Sequence, residues 1–425
     1  MATMSVTEQA LNTYVRETGG WIASQLEACT RCGMCAEACH FYVATGNPEY
    51  TPIWKVELVR RAYEQRFTLI GKIKQALGFE KPVTDEDLRH WAELDYYACT
   101  MCNRCSMVCP MGIQLADLIH EARAGLFEAG LIPSDLKAAL DKQIEEGSPL
   151  GADDETFDDR LEWIEDDWDV EFPMDKEGAD VLLVFSSIEI MKFPDNLAAI
   201  AKILDAGGVN WTLSKEGREV TNFGLYAGSD ELEMLIADRV IRAAKRLGVK
   251  RVVVSECGHA YDALRFRAAN LRGEKLPFEV VHITQVIGEL VESGRIKLKA
   301  GAFENGKVTF HDACKIQRRG GDFEQPREVL KILAGDRFVE MTPNREEAWC
   351  CGGGGGVIAI QDADEVRRAA FTIKIDQINA AGATTVAMTC SNCRLQFLDC
   401  VDHFNLNWNV TGLAQMVADA LVEEG

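Results

Sequence analysis

Two stretches near the start of the chain decide its fold: CTRCGMCAEAC from Cys29 to Cys39 and CTMCNRCSMVC from Cys99 to Cys109. Each contains four cysteines spaced C-x2-C-x2-C-x3-C, which is the spacing at which thiolates bind a pair of [4Fe-4S] cubanes. In such a pair, three cysteines of one group bind one cluster and the fourth cysteine binds the other cluster. The predicted ligand sets are Cys29, Cys32, Cys35 and Cys109 for one cubane, and Cys99, Cys102, Cys105 and Cys39 for the other.

Structural zinc and a disulfide framework are the alternatives for these cysteines. Zinc prefers two separated C-x2-C pairs, and disulfide frameworks are typical of small secreted domains. The complete spacing occurs twice, which favours the cubane pair. Pro110 follows Cys109, as is usual in bacterial-type ferredoxin loops. His40 stands at the matching position after Cys39, where we expect it to change the polarity beside one cluster.

The length and composition of the chain limit the class of protein. A chain of 425 residues, of which 47% are hydrophobic, is long enough for two or three domains with cores. It contains no uninterrupted apolar stretch of about eighteen residues, and its first residues do not resemble a secretory or twin-arginine signal. We therefore expect a cytoplasmic protein whose fifteen cysteines are metal ligands rather than disulfides.

The net charge of −22 is concentrated in one segment. Residues 145–180 carry sixteen acidic and two basic side chains, a local balance of −14. This charge density disfavours nucleic acid or anionic lipid as a direct partner. The segment is either a solvated acidic linker or a docking surface for a basic partner. Part of it is expected to pack, because it also contains Leu161, Trp163, Ile164, Trp168 and Phe172.

The apolar pattern predicts an α+β multidomain protein with four segments. Residues 1–140 are a helical ferredoxin-like domain with two [4Fe-4S] clusters, and residues 141–180 are the acidic linker. Residues 181–300 and 301–425 are two α/β units with parallel sheets, since short β-branched runs alternate there with helices. The predicted helices are Ile53–Arg66, Ile113–Ala129, Leu232–Leu247 and Ala363–Ala381, and the predicted strands are Val181–Ser186, Arg251–Ser255, Glu279–Ile283, Lys307–His311 and Thr384–Thr389.

The two α/β units are a duplication. RVVVSECGHA at Arg251–Ala260 matches TTVAMTCSNC at Thr384–Cys393, as a strand that ends in a cysteine and turns into a helix. At an offset of 128 residues, Ser186 corresponds to Cys314, and NFG at 222–224 corresponds to CCG at 350–352. The first copy is therefore degenerate, and the second keeps its cysteines.

The second copy carries five cysteines in three separated segments: Cys314, Cys350, Cys351, Cys390 and Cys393. Cys314 and Cys390 follow predicted strand ends, at the edge of a parallel sheet where ligands bind. Adjacent side chains such as those of Cys350 and Cys351 point apart, so the pair is suited to different irons of one cluster. The glycines of 352–356 would let the backbone approach that cluster, although a structural turn is an alternative. A phosphate loop is excluded because it would require a lysine and a hydroxyl residue at 357 and 358, which are valine and isoleucine.

These residues carry a family resemblance. Cys314, CCG at 350–352 and CSNC at 390–393 resemble the CCG domain of heterodisulfide reductase catalytic subunits. The double-cubane domain joined to two such units resembles the fused form of these subunits over nearly the whole chain. ECGHAY at 256–261, NFGLYAG at 222–228 and HDACKIQRRGGDFEQPR at 311–327 most resemble the K subunit of the dissimilatory sulfite-reduction membrane complex and related subunits of transmembrane redox complexes.

The resemblance implies cofactors, a reaction and partners. The cofactors are two cubanes and one noncubane or otherwise special [4Fe-4S] cluster, held by the five cysteines of the second copy. At this cluster a disulfide or trisulfide is reduced, or a thiol pair is oxidised. The substrate is a small sulfur-carrier protein or a low-molecular-weight heterodisulfide. The chain docks on a membrane cytochrome or other redox subunits, so it is peripheral at the membrane.

Two other hypotheses compete with this one. The chain could be an electron-relay subunit of a flavoprotein dehydrogenase or quinone-linked complex, and the cysteines missing from the first copy fit that role. A plain relay needs only four ligands, however, so five retained cysteines favour a catalytic centre. A regulatory or structural cysteine-rich protein would need none of these regularities.

Single residues near the five cysteines have candidate roles. His259 is the predicted acid that stabilises or protonates the released thiolate, although a lone histidine is more often packed or solvated. Cys257 is a ligand, a redox-active thiol or, as we favour, a buried leftover. Cys400 is expected in the core. Arg318 and Arg319 either receive a substrate carboxylate or form an exposed basic pair.

Overall fold

The computed structural model describes residues 5–79 and 81–422. They form two compact units with interleaved segments. Unit 1 contains the chain up to Ala138 together with residues 223–230 and 352–373, and unit 2 contains residues 139–222, 231–351 and those from Lys374 onward. The four predicted domain boundaries stay predictions. No helix in the described ranges is long and apolar enough to cross a membrane.

Short helices joined by cysteine loops make up the N-terminal region. The helix predicted at Ile53–Arg66 is divided in two at Val56, and the helix predicted at Ile113–Ala129 begins two residues later than expected. In chain order the helices are α1 (Val6–Glu17), α2 (Gly20–Ala28), α3 (Met34–Glu37), α4 (His40–Thr45), α5 (Pro52–Lys55), α6 (Glu57–Phe67), α7 (Leu69–Ala76), α8 (Asp85–Tyr97), α9 (Arg104–Met107), α10 (Leu115–Glu128) and α11 (Ser134–Glu146).

Helix α1 and helix α10 pack together in unit 1. The start of α1 is stabilised by a capping box, in which the Ser5 hydroxyl accepts from the N–H of Glu8 and the Glu8 carboxylate accepts from the N–H of Ser5. The Tyr14 hydroxyl of α1 donates a 3.0 Å hydrogen bond to the carbonyl oxygen of Ala122. This contact fixes α1 against the helix that follows the second cysteine loop.

From residue 147 onward, strands alternate with helices. The elements are α12 (Asp154–Trp168), β1 (Val181–Val184), α13 (Ser187–Lys192), α14 (Pro194–Ala206), β2 (Trp211–Thr212), α15 (Phe223–Ala227), α16 (Asp230–Leu247), β3 (Arg251–Val254), α17 (Gly258–Asp262), α18 (Ala268–Arg272), β4 (Glu279–His282), α19 (Ile283–Glu292), β5 (Val308–Phe310), α20 (Gln325–Ala334), α21 (Asp364–Ala381), β6 (Thr385–Met388), α22 (Ser391–His403), β7 (Asn409–Gly412) and α23 (Leu413–Ala418).

The strands of unit 2 form two parallel sheets with the same topology. The first sheet has the order β2-β1-β3-β4, and the second has the order β5-β6-β7. A single parallel bridge between Val308 and Phe338 occupies the place that β2 has beside β1. The predicted fold class, a helical cysteine-rich domain followed by duplicated α/β units with parallel sheets, is confirmed.

The two copies share one apolar core and pack reciprocally. Helix α14 of the first copy contacts α23 of the second, and α20 of the second copy contacts α19 of the first. In each pair, the helix after the first strand of one copy meets the helix after the last strand of the other. Reciprocal contacts of this kind are expected when an approximate two-fold axis relates the two copies. Part of the acidic segment is helix α12, which places Phe157, Leu161 and Ile164 in the same core.

Candidate metal centres

The two N-terminal cysteine loops have the same backbone conformation. Arg31 and Met101 precede the second cysteine of their groups with φ angles of 56° and 53°. Gly33 and Asn103 follow it with φ angles of 81° and 67°. Left-handed residues on both sides of a cysteine turn the chain tightly, which allows one loop to present several thiols to a single cavity.

Each of two cavities in unit 1 is lined by three cysteines of one loop and the fourth of the other. One cavity is lined by Cys29, Cys32, Cys35 and Cys109, and the other by Cys39, Cys99, Cys102 and Cys105. Four thiols around one cavity are the donor set of a [4Fe-4S] cluster, so these residues fit the group. That each set binds a cubane stays a prediction.

Two buried cations lie beside the second of these cavities. Lys55 lines the cavity, and its ammonium donates to the carbonyl oxygen of Ala98. Burial raises the pKa of Cys99, while the charges of Lys55 and Arg123 act to lower it. Burial also raises the pKa of the neighbouring Asp95 to about 8, so this carboxyl is mostly uncharged at neutral pH. It therefore does little to neutralise the positive charges of Lys55 and Arg123. His40 lines the same cavity, on the side of Cys39.

Arg123 joins three chain segments within unit 1. Its guanidinium donates hydrogen bonds of 2.8 to 3.1 Å to the carbonyl oxygens of Asp95, Cys99, Tyr226 and Gly355. A Cβ on Gly355 would lie 2.8 Å from the carbonyl carbon of Thr100, and its φ is +63°. Only glycine fits such a close approach. The glycine run after Cys351 in the sequence therefore packs on the Cys99 loop, and its expected role at the five-cysteine site stays a prediction.

Four of the five predicted cysteines of the second copy meet in one buried place in unit 2. The Sγ atoms of Cys351 and Cys393 and a ring nitrogen of His311 lie within 4.8 Å of one another. Sulfur hydrogen bonds link Cys351 to Cys350 and to Cys393, and Cys393 to Cys390. The described sulfur contacts do not include Cys314, which is buried three residues after His311.

The elements that carry these residues end at the same sheet edge. His311 directly follows β5, and Cys390 is the N-cap of α22, two residues after β6. Since β5 and β6 are parallel neighbours, their carboxyl ends lie side by side. The segment that ends in Cys350 and Cys351 reaches this edge from a separate part of the chain. This placement agrees with the expectation that ligands collect where parallel strands end.

Hydrogen bonds among the four cysteines shift their pKa values in opposite directions, and a buried cation lies beside them. The bonds to Cys351 and Cys390 raise the pKa of Cys393 well above its ordinary value. Hydrogen bonds with Cys350 and Cys393 lower the pKa of Cys351 well below its ordinary value. Lys374 is fully buried, and its ammonium has no hydrogen-bond partner among the described residues. Burial lowers the pKa of Lys374 to about 8, while the negative charges of Asp312, Cys350 and Cys351 act to raise it. A thiolate-ligated iron–sulfur cluster fits this set, because it would add negative charge beside an ammonium that has no hydrogen-bond partner among the described residues.

In the first copy, carboxylates occupy the equivalent sheet edge. The Glu189 carboxylate accepts hydrogen bonds from the N–H and hydroxyl of Ser186, both 3.0 Å, and from the Ser255 hydroxyl at 2.7 Å. Glu219 accepts from the N–H of Ser187 at 2.7 Å. All of these residues are buried. Buried carboxylates and hydroxyls thus stand at the edge where the second copy has thiols.

The edge of the first copy nevertheless touches the cysteine site of the second. The N–H of Gly258 bonds to the Cys390 thiol. His259 is buried in α17, next to Gly258, and its role as an acid stays a prediction. Cys257 is buried, and burial raises its pKa well above the ordinary value. Burial likewise raises the pKa of Glu256 well above its ordinary value.

The remaining residues singled out in the sequence have structural contacts of their own. Arg319 forms a 2.6 Å ion pair with Asp262, and Arg318 donates to the carbonyl oxygens of Glu346 and Ala348. These contacts engage both arginines within the protein, which weakens the idea that they receive a substrate carboxylate. Cys400 is fully buried in α22, and the Gln396 amide donates to its sulfur at 3.2 Å.

Sequence reasoning missed His311, Lys374, Lys55 and Arg123. His311 is the last residue of the predicted strand Lys307–His311 and lies three residues before Cys314. A histidine at a strand end, so close to a predicted ligand, was a sequence signal for a site residue. Lys374 stands on the same face of its helix as Phe371 and Ile378, at i+3 and i+4 spacing. A lysine on an apolar stripe signals an unusual environment. The only sequence signal for Lys55 and Arg123 is that each lies near a cysteine loop along the chain.

Two domain families match the chain. The 4Fe-4S dicluster domain family matches residues 25–113, and the cysteine-rich CCG domain family matches residues 308–398. These matches confirm the predicted iron–sulfur and CCG character of the chain. The number and type of its clusters stay predictions.

The relatives are iron–sulfur subunits and redox proteins. An Hdr-like menaquinol oxidoreductase iron–sulfur subunit of Archaeoglobus profundus is 27% identical, over 93% of this chain and 79% of that protein. One subunit of the dihydromethanophenazine:CoB–CoM heterodisulfide reductase of Methanosarcina mazei is 28% identical, over 93% of this chain and 94% of that protein. The EtfAB:quinone oxidoreductase of Syntrophomonas wolfei is 27% identical, over 88% of this chain and 55% of that protein. The finer resemblance to K subunits stays a prediction.

Proposed function

We propose that this heterodisulfide reductase-like iron–sulfur protein, in which a 4Fe-4S dicluster domain is joined to a CCG domain, exchanges electrons between two cubanes and a special [4Fe-4S] centre where a sulfur–sulfur bond is broken or formed. The cubanes would be held by the two predicted sets of four cysteines. The special centre would be held by Cys314, Cys350, Cys351, Cys390 and Cys393.

One observation carries the proposal: Cys350, Cys351, Cys390 and Cys393 are linked through their sulfurs, with His311 and Lys374 beside them. A relay cluster needs four separate ligands and no adjacent pair. With Cys314, the adjacent pair and the two cysteines of the third segment would offer five thiolates, one more than a cubane binds, as we propose for a centre with substrate chemistry. The buried ammonium also stabilises negative charge at this place.

The reaction takes two electrons and two protons per S–S bond: RS–SR′ + 2e⁻ + 2H⁺ gives RSH and R′SH. When bound, the cluster would supply single electrons and an iron site for sulfur. The chain's own residues perform the remaining tasks. Lys374 holds a positive charge near Cys350 and Cys351, and the buried surroundings keep water away. His259 is our candidate for the acid that protonates the released thiolate, because its neighbour Gly258 contacts Cys390.

The substrate class and the partners belong to the same proposal. The name of one relative includes a heterodisulfide, and that of another includes menaquinol. We extend the chemistry of both to this chain: a disulfide or trisulfide of a sulfur-carrier protein or small heterodisulfide on one side, and a quinone-linked membrane cytochrome or similar redox subunit on the other. The chain would then be cytoplasmic and peripheral at the membrane.

The test is iron and sulfide analysis with electron paramagnetic resonance on anaerobically prepared protein, before and after thiol addition. Three clusters correspond to about twelve irons, and a thiol-dependent signal would belong to the special centre. Cys351→Ala should abolish that signal and S–S turnover while both cubane signals persist. Cys400→Ala is the matched control, since this cysteine is also buried in unit 2 but lies in the core. About eight irons and no thiol-dependent signal would overturn the proposal.

An electron-relay subunit without its own substrate is the second candidate. The carboxylate network of Glu189 and Glu219 favours it, because this network fills the site at which a second special centre would lie. Similarity to an EtfAB:quinone oxidoreductase is compatible with it as well. A relay would show cluster reduction by a partner without any thiol-dependent signal, so the same measurement separates the two candidates.

A further inference from the structure

Helix α7 exposes apolar side chains that neighbouring elements leave uncovered. Leu69, Ile70, Ile73 and Leu77 are between 49% and 75% exposed, and we call this set the α7 apolar face. Phe67 and Phe79 lie before and after it and are exposed too. Contiguous exposed apolar surface of this kind is rare in monomeric soluble proteins and marks a binding surface.

The close packing of α7 on α6 explains why the apolar face points outward. Gly71 is buried against α6, and a Cβ at this position would lie 2.1 Å from the carbonyl oxygen of Glu64. At about 100° per residue, Gly71 lies roughly opposite the middle of the α7 apolar face. The helix therefore turns its narrow glycine side to the protein and its apolar side to solvent.

Basic residues border the α7 apolar face. Lys72 and Lys74 lie at its two edges on the helical wheel, and Arg66 precedes the helix. No acidic residue occurs between Glu64 and Glu80. Lys74 also lies 3.5 Å from the Glu64 carboxylate.

We propose that α7 binds the surface of an anionic lipid membrane. The α7 apolar face inserts at the boundary between headgroups and acyl chains, and Lys72, Lys74 and Arg66 contact the lipid phosphates. An apolar stripe with a lysine at each edge is the pattern of interfacial helices, since the long side chains reach back to the headgroups. The chain then contacts the membrane itself, in addition to any partner subunit.

The acidic excess of the chain does not prevent this contact. Charges separated by more than about 8 Å are largely screened at physiological ionic strength. Among residues 65–79 the charged side chains are Arg66, Lys72 and Lys74, so the local charge along α7 is positive and attracts an anionic surface, although Lys74 lies 3.5 Å from the Glu64 carboxylate.

The test is co-sedimentation of the full-length protein with vesicles of phosphatidylcholine that contain about one third phosphatidylglycerol, against phosphatidylcholine alone. Binding should be at least about tenfold tighter to the anionic vesicles and should weaken as salt is added. The double variant Leu69→Ser, Ile70→Ser should reduce binding about tenfold, since it removes inserted apolar groups. Lys72→Glu should reduce it by a similar factor.

Matched controls lie on exposed positions elsewhere. Leu235→Ser removes an exposed apolar side chain from α16, and Lys275→Glu makes the same charge change far along the chain. Both should bind vesicles as the unchanged protein does. The proposal is overturned if the unchanged protein does not bind vesicles, or if the α7 variants bind them as the unchanged protein does. The α7 apolar face would then be a binding surface for a protein partner. Iron content is unaffected in either case, so this result is independent of the proposed redox function.

Discussion

The N–H of Ser391 donates a 2.6 Å hydrogen bond to the carbonyl oxygen of Glu256. Ser391 begins the helix after the central strand of the cysteine-rich copy, and Glu256 follows the central strand of the cysteine-poor copy. The two strand ends therefore support each other directly. The first copy keeps only Cys257 of the matching cysteines, but it still forms one wall of the site in the second.

Gly258 offers a test of this support. A Cβ at this position would lie 3.2 Å from the Cβ of Lys315, so Gly258→Ala should push the loop away from Cys390. We expect the bound iron to fall from about twelve to about eight atoms per chain, with both cubane signals retained. Iron analysis measures this loss. Gly19→Ala is the control, since no atom lies within 4 Å of a Cβ there. Full iron content in Gly258→Ala would show that the contact is dispensable.

Lys374→Met should make the special centre harder to reduce. Reduction adds negative charge, and the buried ammonium stabilises that charge at short range. We expect the midpoint potential to shift by about 60 mV or more in the negative direction, a tenfold change for one electron. A redox titration followed by paramagnetic resonance measures it. Lys374→Arg keeps the charge and should keep the potential nearer the original value. Equal shifts in both variants would point to packing instead of charge.

Lys55→Met should affect one cubane and spare the other. Lys55 lines the cavity of Cys39, Cys99, Cys102 and Cys105, and not that of the other four cysteines. Loss of its charge should lower the potential of that cubane by tens of millivolts, by about the amount expected at Lys374. The other cubane, predicted at Cys29, Cys32, Cys35 and Cys109, serves as an internal control in the same titration. Equal displacement of both signals would contradict the assignment of Lys55 to one site.

Arg123→Met should destabilise unit 1. The change removes five hydrogen bonds and leaves buried carbonyl oxygens of four residues without this donor. We expect a loss of at least about 3 kcal/mol in the free energy of unfolding, because each buried unpaired carbonyl costs about 1–3 kcal/mol. Denaturant unfolding measures it. Arg16→Met, at an exposed side chain, should change stability by less than about 0.5 kcal/mol.

The sequence predicted those parts of the fold that depend on local pattern. Strand β3 was expected to end at Ser255 and ends at Val254, and α21 begins at Asp364, one residue later than expected. The cysteines line two cavities in the grouping that their spacing predicts, and the binding of a cubane in each stays a prediction.

Other features depend on contacts between distant segments. The packing of α14 on α23 joins residues that are far apart in sequence, and no apolar periodicity in the sequence predicts which helices meet. The burial of Lys374 beside Cys350 likewise depends on which face of α21 meets the sheet edge. The carboxylate network around Glu189 was missed because acidic residues usually lie on the surface. A search for charged residues on apolar helix faces would have found Lys374.

The exchange of Cys39 and Cys109 between the two N-terminal cavities has a consequence for biogenesis. Neither cavity has its complete set of thiols until the ribosome has released Cys109, so the two proposed cubanes would form only after the whole N-terminal region has been synthesised. Loss of either proposed cubane would leave one free thiol on the loop that holds the other, so oxidative damage at one site would affect both loops.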